Sequence, residues 1–340
     1  MIDEFRNGLL RRFAGRPVFD FTFDFDFREA DEFDPGALPA EIEDWAWRLL
    51  AEADDLAEEQ PEVSAIFELF LGAVDPSRVR ALITGIVYAS FTVPTSRPTE
   101  LLLEHADRLS GLEALFLGDV TRDECEVSWL NQEDPGPLLT TFPRLREFGL
   151  RGTSNLTGIE PLEHDALESL TFQGGGLSPA VVRAVGASRL PALTTLELYL
   201  GTRTYNGGAG PEDLAAVLQG NGSFPRLRHL GLRDAENVDE IAAAVAHAPI
   251  AAQLETLDLS LGALGDEGAA ALLAGQPLAH LKRLDLHHHF MSEEMMQRLW
   301  AALPGVEVNL DEQEAPHTWY RGDLDGVEAM ESRRYIAVAE

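Results

Sequence analysis

Residues 254–290, LETLDLSLGALGDEGAAALLAGQPLAHLKRLDLHHHF, carry one phrase twice. Leu254, Leu257 and Leu259 follow the spacing LxxLxL, and Leu281, Leu284 and Leu286 repeat it 27 residues later. Between them Asp266 and Glu267 open an apolar run, Gly268 to Ala274, with a helix-start signature. The order is strand, turn, helix and return to a parallel strand. A unit this short cannot bury its own leucines, so it must stack on copies of itself.

Upstream the triplet recurs at Leu112, Leu115 and Leu117, then at Leu145, Phe148 and Leu150, and at Leu167, Leu170 and Phe172. It recurs again at Leu193, Leu196 and Leu198 and at Leu227, Leu230 and Leu232. A degenerate first copy keeps Val79 and Leu82 but has Thr84 in the last place. Helix-start signals precede the apolar runs after several triplets: Ser178-Pro179, Pro211-Glu212-Asp213, Asp239-Glu240 and Ser292-Glu293-Glu294. Pro143, Pro191, Pro225, Pro249 and Pro304 stand where the chain should leave the helix for the next strand. The Gly- and Pro-bearing insertions at 131–137 and 201–210 read as loops.

The two ends depart from the pattern. Residues 1–75 read as an N-terminal α+β cap covering the first edge of the stack. In it Phe19, Phe21, Phe23, Phe25 and Phe27 alternate with Asp20, Thr22, Asp24 and Asp26, as in a strand with one aromatic and one acidic face. A second strand is expected at Trp45 to Leu50 and a helix at Glu62 to Val74. Residues 76–310 form the repeat array, of about eight units on this triplet spacing. Residues 311–340 form an acidic tail, with a loop over 311–332 and a strand at Tyr335 to Val338 closing the far edge.

The composition narrows the partners. Asp and Glu number 58 against 26 Lys and Arg, for a formal charge of -32. Such a field repels phosphate backbones and anionic bilayers, so neither nucleic acid nor a membrane is expected as partner. A basic protein partner is the sharper reading, and a merely soluble acidic surface the plainer one. Cys125 is the single cysteine, which excludes an internal disulfide and fits a reducing compartment. Neither a secretory h-region nor a membrane-length apolar run is visible, and a cytoplasmic location is expected.

Residues 254–272 resemble the ribonuclease-inhibitor-like leucine-rich repeat, LxxLxLxxNxLxxxGxxxL. The match is good again over Leu281 to Leu299 and looser upstream, spanning about residues 79–310. The whole chain is similar to an uncharacterised family of bacterial cytoplasmic leucine-rich-repeat proteins. The resemblance implies an α/β solenoid, a horseshoe or arc with parallel strands on the concave face and helices on the convex face, that recognises another macromolecule. The inward asparagine of the repeat is replaced by Val120, Thr153, Gly175, Gly201, Ala235, Gly262 and His289, so the turns must be satisfied in another way.

In LxxLxL the leucines point to the helices, and the fifth and seventh places line the opposite face. Those places hold Arg151, Glu197, Tyr199, Arg233, Asp258, Asp285 and His287, a mixed polar surface with Tyr199 and Arg233 as expected anchors. The leading expectation is a non-enzymatic scaffold or protein-binding function through this concave face, without cofactor. The alternative is a metal-dependent hydrolase in which Asp258, Asp285 and His287 hold a divalent ion, although no established ligand spacing marks them. Regulation of a GTPase follows from the resemblance alone. No phosphate loop, GxSxG or HExxH occurs, and the acidic neighbours of Cys125 disfavour a thiolate.

Overall fold

The structure, a computed structural model, describes residues 9–24, 38–52, 63–85, 97–121, 125–153, 155–220, 222–322 and 328–338. The triplets form strands β4 (Ala81–Thr84), β5 (Ala114–Leu117), β6 (Glu147–Arg151), β7 (Ser169–Gln173), β8 (Thr195–Gly201), β9 (His229–Ala235), β10 (Thr256–Asp258) and β11 (Arg283–Asp285). They lie side by side in chain order and pair in parallel. At the far end β12 (Glu307–Asn309) pairs with β11.

The near end extends further than the triplets do. Strands β2 (Arg16–Asp24) and β3 (Ala46–Glu52) join the same sheet in parallel, and β1 (Arg12–Phe13) closes it antiparallel to β2. One row of paired residues runs through Phe19, Trp47, Leu82, Leu115, Phe148, Leu170, Leu196, Leu230, Leu257, Leu284 and Val308. Residues 1–75 were read as a cap over the first edge of the stack, and Phe19 and Trp47 within them occupy the same register as the leucines, because the aromatic alternation presents the same apolar face. Phe25 and Phe27, the end of that alternation, lie outside the described residues.

Helices α1 (Val63–Ala73), α2 (Arg97–Glu104), α3 (Gly136–Thr141), α4 (Pro179–Gly186), α5 (Ala215–Gln219), α6 (Val238–Val245), α7 (Asp266–Ala274) and α8 (Glu293–Ala302) link successive strands. Between β6 and β7 the described residues hold no helix. That is the shortest interval between triplets, 22 residues, and leaves too little chain for one. The helices and the leucine face share one continuous core, from Phe21 and Phe70 to Leu299 and Leu310. Each buried leucine or phenylalanine there is worth about 1.5–3 kcal/mol relative to exposure. None of the helices is long and apolar enough to cross a membrane, among the described residues.

Local chemistry starts these helices as the sequence suggests. Ser178 Oγ accepts from the Ala180 amide and Ser292 Oγ from the Met295 amide. Ser292→Ala removes that cap from α8. It is expected to lower the unfolding free energy by about 1 kcal/mol in a urea melt.

The tail differs from expectation. Residues 311–332 were read as a loop, yet β13 (His317–Gly322) and β14 (Glu328–Arg333) pair antiparallel, which the Thr-Trp-Tyr run favours. The segment at Tyr335 to Val338 does not close the sheet edge. It crosses the turns that follow β9, β10 and β11, where the Ala337 amide donates to the Leu261 carbonyl and the Val338 amide to Asp234 Oδ1.

Candidate functional site

The face away from the helices is built by the fifth and seventh places of each unit. Its fifth-place row runs Asp20, Arg48, Ile83, Phe116, Gly149, Thr171, Glu197, Gly231, Asp258, Asp285 and Asn309. Parallel pairing puts neighbours in this row within side-chain reach, so charges on adjacent strands must pair or repel.

They pair, in three groups. At the near end Asp119 is fully buried, accepts from the Leu10 amide and from Arg48 at 2.8 Å, and forms an ion pair with Arg151 at 3.3 Å. Arg151 also donates to Gln173 and to the Val120 carbonyl. In the middle Arg233 reaches Glu197 Oε2 at 3.3 Å, Asp258 Oδ2 at 3.4 Å and Ser260 Oγ at 3.1 Å. Its guanidinium stands 5.0 Å from the centre of the Tyr199 ring, and His229 Nε2 lies 2.8 Å from Glu197 Oε1. At the far end Asp285 accepts from Arg283 at 2.6 Å and from Asn309, and His287 Nδ1 lies 2.7 Å from it.

These pairings set the charge states. Burial pushes the Glu197 carboxyl up, but its bond with His229 and the charge of Arg233 outweigh that and bring it down to about 2. Asp285 is also held well below the usual range, since its bonds to His287 and Arg283 overcome burial. Asp258 shifts the other way: burial and the neighbouring Glu197 and Asp285 charges exceed the pull of Arg233. Burial lowers Arg151 and raises the Tyr199 phenol.

The seven residues expected on this face are all there, but most are covered. Tyr199 is 0% exposed and packs with Val127, Leu261 and Val338. Arg151, Glu197, Asp258 and Asp285 are buried as well. The side chains of Arg233 and His287 keep 11% and 20% exposure. Tyr199 is therefore no free anchor for a partner. The chain's own segments fill the space over it, because the loop at 125–132 and the tail bring Val127 and Val338 to that place. The more accessible groups lie one step along the strands, in the third places: Glu147, Ser169, Thr195, Thr256 and Arg283 are half-buried and Glu307 is exposed.

The residues of the alternative metal reading, Asp258, Asp285 and His287, are engaged in other bonds. Asp258 and Asp285 sit side by side in register, but their oxygens face Arg233, Arg283, Asn309, His287 and the Ser260 amide. Among the described residues no three His, Cys, Asp or Glu side chains are grouped to hold a metal ion. The three consecutive histidines diverge. His287 stays with Asp285, His288 packs its ring on Phe290 and Tyr335, and His289 is buried with Nε2 3.1 Å from the Leu310 carbonyl.

His289 also accepts the Met291 amide at Nδ1, so it satisfies a turn as the missing repeat asparagine would. His164 makes the same two contacts, with Ala166 N and the Phe142 carbonyl, and Thr153 Oγ donates to the Gly176 carbonyl. Two functional-looking residues escape the fifth-and-seventh-place reading. Asp119 and Asp234 both stand in the eighth place of their units, and each accepts the backbone amide of a terminal segment, Leu10 or Val338.

Neither a family model nor a curated protein sequence matches the chain. Among solved structures it is similar to a structural-genomics crystal structure of a Bacteroides fragilis protein, with a TM-score of 0.67 and 28% identity over 73% of this chain and 70% of that one.

Proposed function

We propose that the chain is a leucine-rich-repeat arc of the ribonuclease-inhibitor-like type that works as a non-enzymatic protein-binding scaffold. Equal register across the sheet, with the helices on the leucine side alone among the described residues, supports the arc. The observation that carries the function is the paired state of the polar face. Glu197, Arg233, Asp258 and Asp285 are all committed to fixed partners, which suits a rigid surface rather than proton transfer at a substrate. The half-buried row beside them, Ser169, Thr195, Thr256 and Arg283, is the accessible part of that surface. The charge of -32 steers a basic protein toward it.

The test places two arginines in the row, Thr195→Arg with Thr256→Arg, in the intact chain. Capture from a native bacterial lysate compares it with the parent and with Trp300→Ala, a change on an exposed helix residue. A basic protein retained by the parent and by Trp300→Ala, and lost from the arginine variant, is the expected outcome. Equal recovery by all three would remove the sheet face from consideration.

A further inference from the structure

The C-terminal segment lies on a repeating seat. The eighth places of three successive units, Asp234, Leu261 and His288, have left-handed backbone with φ of 56°, 65° and 56°. None is glycine, so each spends conformational energy to hold its turn open in that shape. All three face the same extended segment. Val338 donates its amide to Asp234 and packs on Leu261, Ala337 donates to the Leu261 carbonyl, and the Tyr335 ring meets His288 edge-on at 5.5 Å. Stacked units advance about 4.8 Å each and an extended chain about 3.3 Å per residue. Three residues of peptide thus span two steps of the stack, so peptide and turns stay in phase.

The side chains of the segment have separate seats. Tyr335 lies among His288, Phe290 and His317, and its hydroxyl donates to Glu314. Val338 enters the pocket of Val127, Tyr199 and Leu261. Arg334, just before, reaches Asp239 and the Ala263 carbonyl. One polar atom of the seat is left over. Asp234 is fully buried, and its Oδ2 finds no hydrogen-bond partner while Oδ1 holds Val338. The chain's own segment therefore fits the seat without satisfying it.

We infer that the turns at Asp234, Leu261 and His288 form a recognition site for an extended peptide of a basic partner protein, with the pattern basic–aromatic–aliphatic–small–aliphatic, and that residues 334–338 occupy it as an intramolecular stand-in. The seat recognises backbone through one carbonyl and one carboxylate, and side chains through an aromatic and an aliphatic pocket. A partner peptide that also gives Asp234 Oδ2 a hydrogen-bond partner displaces the tail. This site lies beside the sheet face proposed above and does not depend on it.

The probe is a fluorescent synthetic peptide of residues 332–340, SRRYIAVAE, titrated by anisotropy into full-length proteins. In the parent the tethered segment competes at high effective concentration and weakens binding. Val338→Asp empties the aliphatic pocket, and Tyr335→Ala with Val338→Asp empties both. Each variant is expected to bind the peptide at least tenfold more tightly than the parent, with a melting temperature within a few degrees of it. A peptide with alanine for tyrosine and aspartate for valine should not bind either variant. Folded variants that bind the native peptide no better than the altered one overturn the inference. Equal binding by parent and variants overturns it too. If the double variant fails to fold, Val338→Asp alone decides.

Discussion

Arg233→Ala is expected to lower the unfolding free energy by about 3–5 kcal/mol, the cost of removing one partner from a buried ion cluster. Arg233 is the shared partner of Glu197 and Asp258 and covers the Tyr199 ring. Its loss leaves two carboxylates two strands apart, on either side of β9, without their shared cation in a place that water scarcely reaches. Arg233→Lys should recover little, since a point charge cannot reach Glu197, Asp258 and Ser260 together as the planar fork does. Arg233→Met combined with Glu197→Gln should lose less than the two single changes summed. By contrast, half-buried Arg283 and exposed Glu307 form a pair 3.1 Å apart, and Glu307→Ala should change stability by under about 1 kcal/mol. Urea melts of these variants measure each value. A loss under about 1 kcal/mol for Arg233→Ala would mean that water screens the cluster.

The same cluster has an acid signature with a defined sign. The folded pKa of Glu197, about 2, lies below its ordinary 4.5. Its ionised form is thus favoured by folding, and that stability is complete above pH 4.5 and lost as the pH falls toward 2. The difference is worth about 3 kcal/mol at neutral pH. Parent and Glu197→Gln should therefore differ by about that amount at pH 7 and converge near pH 2. Asp258 has the opposite sign: its raised pKa makes its contribution present in acid and lost as the pH rises.

The strand ladder was legible because period and spacing act locally. Leu254, Leu257 and Leu259 declare a strand face whatever surrounds them, and Leu281 declares where it recurs. The membership of β2 and β3 was less so. Phe19 and Trp47 take the place of leucine in the same row, and an aromatic alternation does not announce a leucine register. On the polar face the residues could be named but not their exposure. The fifth and seventh places follow from the pleat. What covers them depends on segments distant in sequence: Val127 and Val338 reach Tyr199 through loops whose course no periodicity fixes. Asp119 and Asp234 were missed for the same reason, since an acceptor for the amide of Leu10 or Val338 has meaning only once those segments are in place.

The near-end tie gives the second large effect. Asp119→Ala is expected to lower stability by about 3–5 kcal/mol and to expose the segment before β2 to proteolysis. The carboxylate is fully buried, receives the Leu10 amide, and neutralises Arg48 and Arg151. Arg48 keeps Asp20 after the change, and Arg151 keeps Gln173 and the Val120 carbonyl, which carry no charge. Burial already lowers the Arg151 pKa, so removing Asp119 takes away the group that opposes that shift. Leu10 and Phe13 pack over Ala46, Ile83 and Phe116 and depend on the same tie to stay there. The expected order follows from these contacts. Asp119→Asn, which can still accept the Leu10 amide but cannot neutralise an arginine, should fall between parent and Asp119→Ala in stability. In limited proteolysis followed by mass spectrometry it should stay closer to the parent. If Asp119→Ala is as resistant as the parent at 9–15, apolar packing alone holds the segment, and the carboxylate serves the two arginines only.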